Sequence, residues 1–250
     1  MDSKTKVFFL FTIIFGSCSK NYTPPPTGST PVSFITTHYD SLSTHNSQGV
    51  PNNLGVPDSI TTGLTKFIDT NLHSYMDLTK SRSDLFVSSA SANIDFSANT
   101  NVSVTFVFQK GYFRNTIGFY TYPTAKPPTK PQDIATITYI FPNATPIYQG
   151  GGLPLGSKVS LGTFKPGTSM GFVLLQNAWS DTTHSVKTNT PHYLSSDVLN
   201  PENDPNKKRH VILLHYLDKT LICFEDQDRA AISDNDFNDE IIYTTQTPSP

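Results

Sequence analysis

From residue 84 to residue 245 the chain is a succession of short runs rich in β-branched and aromatic residues, each closed by a turn-forming cluster. That rhythm constrains the fold more than any other feature. Val102, Val104, Phe106 and Phe108 alternate with Ser103, Thr105 and Val107, the period-two signature of a half-buried strand. Similar runs occupy 112–122, 134–141, 159–164, 170–179, 220–224 and 241–244, and 210–217 is apolar throughout, which predicts a central strand. Asp218-Lys219 reads as a hairpin turn, and the polar stretch 181–207 as a surface loop. About eight or nine strands at roughly ten-residue spacing predict a sandwich or jelly roll. A βαβ fold would need a helix after most strands. Only one helical stripe is present, formed by Ile60, Leu64, Phe67, Ile68 and Leu72, with Asp58 or Ser59 as its N-cap. The expected architecture is mainly β: an antiparallel β-sandwich or jelly-roll with one short N-terminal helix. A net charge of −2 provides no basic surface for nucleic acid.

The N-terminus reads as a targeting segment. Lys4 and Lys6 precede the apolar run Val7 to Phe15, then Gly16-Ser17-Cys18. The run is too short to span a bilayer as a helix and has the length of a signal-peptide core. Gly-Ser-Cys resembles a bacterial lipoprotein processing site, although Phe15 stands where such sites usually carry a leucine-type residue. The resemblance implies cleavage before Cys18 and lipidation of its thiol, hence attachment to the membrane and a place in the cell envelope, on the outer membrane or cell surface. The expected organisation is a signal peptide over 1–17, a flexible tether over 18–55, a helical lead-in over 56–82 and the β domain over 83–246. Proline and polar residues dominate the tether, with too little apolar surface to fold alone. Cys223, the other cysteine, lies in an apolar run and reads as a small core residue.

The stretch from Glu225 to Glu240 carries the chemistry. Seven of its sixteen side chains are carboxylates and one is an arginine. Acids packed this closely repel one another unless something compensates them. Ca²⁺ takes 6–8 oxygens from carboxylates, amides, carbonyls and water, so the stretch is read as a calcium loop between two strands. Asp234, Asp236 and Asn238 recur at every second position, and Phe237 between them is expected to enter the core. The spacing is that of the first half of an EF-hand loop, but Asp239 replaces the required glycine, Thr245 stands at the twelfth position, and strands flank the loop. An EF-hand is therefore excluded.

Other motifs lack their structural context. Gly167-Thr168-Ser169-Met170-Gly171 has nucleophile-elbow spacing, but a strand-like run follows where a helix is required. Gly151 to Lys158 approaches a phosphate loop with Ser157 and Lys158 in inverted order. His210 and His215, five apart on one strand, face opposite sides, and His215 reads as a satisfied core residue. Trp179 and the tyrosines could supply a sugar platform, but in a sandwich aromatics are more often core.

Four segments together resemble one family. They are Tyr112 to Tyr122; Gly151-Gly152-Leu153 with Val159 to Phe164 and Gly167 to Phe172; Gln176-Asn177-Ala178-Trp179; and Phe224-Glu225-Asp226 with Ser233 to Asp239. Over roughly 85–245 they are similar to the bacterial "domain of unknown function 4114". The resemblance implies an exported β domain, often attached to surface or adhesin-like proteins, with an acidic loop for calcium and no established enzymatic activity. The positions matching that loop are Asp226, Asp234, Asp236, Asn238 and Asp239, with Glu225 adjacent and Asn177 a weaker oxygen donor. Ala178 departs from the glycine usual there. The expected function is a calcium-stabilised adhesion or accessory binding module, not an enzyme, with a glycan or surface protein as partner. A calcium-dependent carbohydrate-binding module and a glycoside hydrolase-like enzyme are the alternatives.

Overall fold

The structure, a computed structural model, describes residues 34–87, 92–231 and 233–249. Its strands are β1 (His38–Ser41), β2 (Ile94–Phe96), β3 (Thr100–Gln109), β4 (Thr116–Pro123), β5 (Thr136–Phe141), β6 (Lys158–Phe164), β7 (Thr168–Leu175), β8 (Trp179–Ser180), β9 (Ser185–Val186), β10 (His192–Leu194), β11 (Val211–Tyr216), β12 (Lys219–Phe224) and β13 (Glu240–Pro248). The helices are α1 (Thr62–Asn71) and the one-turn α2 (Leu78–Ser81). One sheet has the order β1-β5-β4-β7-β10, with β2 also on β7; the other runs β11-β12-β13-β3-β6, and β8 pairs β9 apart from both. Only β1–β5 is parallel among the described pairs. The molecule is the antiparallel β-sandwich that the strand rhythm predicts.

Alternation along the strands builds three apolar layers. Val102, Val104, Phe106, Ile222, Phe224 and Ile242 from one sheet meet Ile117, Phe119, Phe172 and Leu174 from the other in the central core. The far face of the β11–β6 sheet carries Val107, Ile212, Leu221, Cys223, Ile241 and Tyr243, which pack under α1 and α2. The far face of the other sheet carries Tyr120, Ile137, Tyr139, Val173 and Leu175, covered by Phe34, Leu194 and Leu199. Phe108 departs from its expected face. A bulge between the pairs Ile241–Phe108 and Ile242–Phe106 leaves Val107 as the extra residue, so Phe108 turns toward the helices.

Helix α1 buries Leu64, Ile68 and Leu72 and half-buries Ile60 and Phe67, as its stripe predicts. Its N-cap is Thr61, whose hydroxyl accepts from the Leu64 N–H at 3.2 Å; neither Asp58 nor Ser59 fills that role. Asp58 instead staples the lead-in to the sheet, accepting from Thr105 at 2.7 Å, Tyr243 at 2.8 Å and Lys158 at 3.1 Å. A Cβ on Gly63 would sit 2.7 Å from the Tyr216 hydroxyl, which would have to shift to admit it.

Three further expectations change. The tether boundary at 55 is too late: Phe34 is buried and β1 pairs in register with β5, so 34–55 belong to the sandwich. The signal peptide, Cys18 and the first part of the tether lie outside the described residues. The strand at 210–217 is an edge, not central; it is apolar because the core covers one face and the helices the other. The stretch 181–207 is not only a surface loop, since it supplies β9 and β10 and buries Leu199, Asn200 and Glu202.

Candidate metal centre

The acidic loop is closed by sheet pairing. Phe224, the last residue of β12, is in register with Glu240, the first of β13. Glu225-Asp226 therefore leave one strand beside the point where Asp239-Glu240 enter the next. The Asp226 N–H donates to Asp239 Oδ2 at 2.9 Å, and the Asp239 carbonyl accepts from the Lys110 and Gly111 N–H groups at 3.0 and 3.1 Å.

Between these ends the chain coils instead of extending. Asn235 and Phe237 have positive φ, 59° and 54°. Asp234 Oδ1 accepts from the Asp236 N–H, and Asp236 Oδ1 from the Asn238 N–H at 3.1 Å. Alternating left-handed residues turn Asp234 and Asp236 to one side and send Phe237, fully buried, to the other. Phe237 packs edge-on against Phe86 at 5.4 Å. Carboxylate oxygens of Glu225, Asp234 and Asp236 all lie within 4.8 Å of one another. Asp236 Oδ2 also accepts from the Tyr75 N–H at 2.9 Å, tying the loop to the lead-in.

The other expected ligands divide. Asp226 is buried, with Oδ2 accepting from Asn115 Nδ2 at 2.8 Å and Oδ1 without a partner. Asp239 lies against both Asp226 and Glu225, by contact and by charge. Asn238 Nδ2 caps the Leu72 carbonyl at 3.0 Å and so secures the end of α1. Asn177 Oδ1 accepts from the Arg114 N–H, while its own N–H donates to Asn115 Oδ1 at 3.0 Å. It positions the residue that positions Asp226.

No ion pair among the described residues involves a loop carboxylate. Arg229, the loop's arginine, lies over the rings of Phe86 and Phe237 at 5.4 and 5.3 Å. It donates to Asn235 Oδ1 and the Arg209 carbonyl. Burial, then the neighbouring Asp239 and Asp226, hold the Glu225 carboxyl well above the usual range. Burial and Asp239 do the same to Asp226, and burial chiefly raises Asp236 to about 6. Arg229 acts by charge on Glu225 but makes an ion pair with none of the acids, so a single cation faces the whole carboxylate cluster. With a buried Glu225 oxygen lacking any partner, the donor set fits a hard divalent ion bound through oxygen.

Sequence reasoning missed Glu240, Gln109 and Asn115, which line the sandwich end beneath the loop. The available signal was Glu240 itself, a carboxylate one alternation from the inward-facing Ile242. The remaining motifs fall away. Ser169 sits within β7, with no helix after it. His215 is exposed, and it is His210 that is the satisfied buried histidine, bonded to Glu202 at 2.6 Å. Trp179 is core, donating to Asp181 Oδ1.

Fold and site together define an antiparallel sandwich with an acid-walled loop at one end. A family model described as Domain of unknown function (DUF4114) matches residues 164–247, which takes in β7 to β12, the whole loop and nearly all of β13. No curated protein and no solved structure matches the chain.

Proposed function

We propose that the loop binds Ca²⁺ through Glu225, Asp234 and Asp236, with Asp239 and Asp226 alongside. In this reading the ion locks the β12–β13 end of a cell-surface binding module used in adhesion or as an accessory domain. The convergence of three carboxylates within 4.8 Å, with no side-chain cation in ion-pair contact with any of them, carries the reading. At a hundredfold excess over Kd, an ion bound only to the folded state adds about 2.7 kcal/mol, a large share of a typical ~5–15 kcal/mol stability. Elemental analysis and melting with calcium against chelator test it. Bound calcium and a raised Tm are expected; no bound metal and a Tm indifferent to chelator would overturn it.

Export and lipid anchoring at Cys18 are supported by the N-terminal sequence alone. Among the described residues no helix is long and apolar enough to cross a membrane. A Cys18→Ala variant is expected to leave the membrane fraction, and its retention there would contradict the anchor.

A second reading, calcium-dependent carbohydrate binding, is favoured by three exposed aromatics beside the loop. Tyr75 and Tyr112 are 85% and 86% exposed, and Tyr148 60%. The Tyr75 backbone touches Asp236, Tyr112 follows Gly111, and the Tyr148 hydroxyl donates to the Gln109 carbonyl. Glycan binding abolished by chelator would distinguish this reading from a purely structural ion. Burial of Glu225 and Asp226 favours a held ion over hydrolysis in an open cleft.

A further inference from the structure

Under the loop, between the two sheets, lies a second group of oxygens, of which only those of Asp226 stand alongside the loop site. Glu240 and Gln109 are direct cross-strand partners on β13 and β3. Glu240 faces the sandwich interior with Phe224 and Ile242, and Gln109, one residue past the helix-facing Phe108, shares that side. Glu240 is fully buried and Gln109 is 1% exposed. Neither Glu240 oxygen has a hydrogen-bond partner, nor does Gln109 Oε1 or Asp226 Oδ1. Gln109 Nε2 donates to the Phe113 carbonyl, and Asn115 Nδ2 to Asp226 Oδ2. Burial, then the Asp226 charge, hold the Glu240 carboxyl well above the usual range, against a smaller lowering by the neighbouring Asn115. Gln176 and Asn177, in the turn after β7 of the opposite sheet, fasten the assembly through the Asp226 carbonyl and Asn115 Oδ1.

We propose that Asp226, Glu240 and Gln109 hold a second divalent cation, calcium in class, buried between the sheets below the loop ion. It rests on the calcium reading of the loop only for the identity of the ion. Four partnerless oxygens from two acids and an amide match a hard cation, with carbonyl or water oxygens completing the shell. Leaving such buried groups unmatched is costly. A dication satisfies all four with both acids ionised, and the amide oxygen of Gln109, which cannot ionise, is placed as a neutral ligand. Asp239 acts by charge on both Glu225 and Glu240.

The test counts calcium per chain by elemental analysis of the full chain after equilibration with calcium and desalting. Two equivalents are expected in the wild type, one in Glu240→Gln, and one in the double variant Asp234→Asn/Asp236→Asn. One equivalent in the wild type, retained in Glu240→Gln and lost in the double variant, overturns the second site and leaves the loop reading standing. One equivalent lost in Glu240→Gln and retained in the double variant does the reverse. No bound calcium in the wild type overturns both. Should Glu240→Gln fail to fold, Gln109→Met removes the neutral ligand with both acids intact. Calorimetric titration should then show one of the two equivalents weakened by about tenfold or more, and an unchanged isotherm would overturn the site.

Discussion

At the scale of single residues, small changes beside the loop should act through named atoms. A Cβ on Gly111 would lie 2.7 Å from Asp226 Oδ2. Gly111→Ala must therefore push aside a carboxylate that Asn115 holds in place. Calcium affinity is expected to fall by about tenfold, roughly 1.4 kcal/mol, in a calorimetric titration, with the sheets intact by circular dichroism. His192 gives a pH dependence of its own. It stacks on Phe34 at 4.4 Å, with the Tyr39 hydroxyl 2.8 Å from Nε2 and the Thr190 carbonyl 2.7 Å from Nδ1. Burial pulls its pKa from 6.5 down to about 4. The unfolded chain then takes up the proton first. The contribution is whole above about pH 6.5 and declines as pH falls toward 4, by about 3 kcal/mol in total. In His192→Phe, denaturant melts at pH 7 and pH 5 should differ by less than in the wild type. An unchanged difference would rule out His192 as the source.

At the scale of elements, α1 is held by what it covers. Its first turn has no acidic residue and its last no basic one, and an isolated helix of this length is marginal in water. Ile68 is fully buried against the β11–β6 sheet, so Ile68→Ala should cost about 2–5 kcal/mol, measured by urea unfolding. The loss should reach the loop too, because Asn238 donates to the α1 end at Leu72 and the Tyr75 N–H to Asp236. Among the elements, α1 was legible because five apolar residues repeat at helical spacing. The edge position of β11 was not, since an apolar edge covered on both faces reads like a central strand.

At the scale of the whole molecule, the sandwich begins earlier than its strand-rich region suggests. β1 adds to the free edge of β5 in parallel, and Phe34 closes the outer layer over Ile137 and Tyr139. A chain starting at residue 34 should keep the melting temperature of one starting at residue 19. A chain starting at residue 56 should melt lower and aggregate more readily, because it exposes an unpaired edge above an apolar face; equal melting temperatures would place 34–55 outside the cooperative unit.

Residue order by itself determined the class of fold, the existence and face of α1, and the place where negative charge accumulates. Each of these is written in local periodicity or local composition, which neighbouring residues carry between them. Which acids meet was decided only by tertiary structure. Register pairing of Phe224 with Glu240 brings Glu225 to Asp234 and Asp236 across the loop. Asn238 caps the end of a helix 166 positions earlier in the chain. Pairing of β13 with β3 sets Glu240 opposite Gln109, far upstream, beside Asn115 just ahead of β4 in the other sheet. Such meetings depend on strand register and sheet stacking, which no short window of sequence encodes.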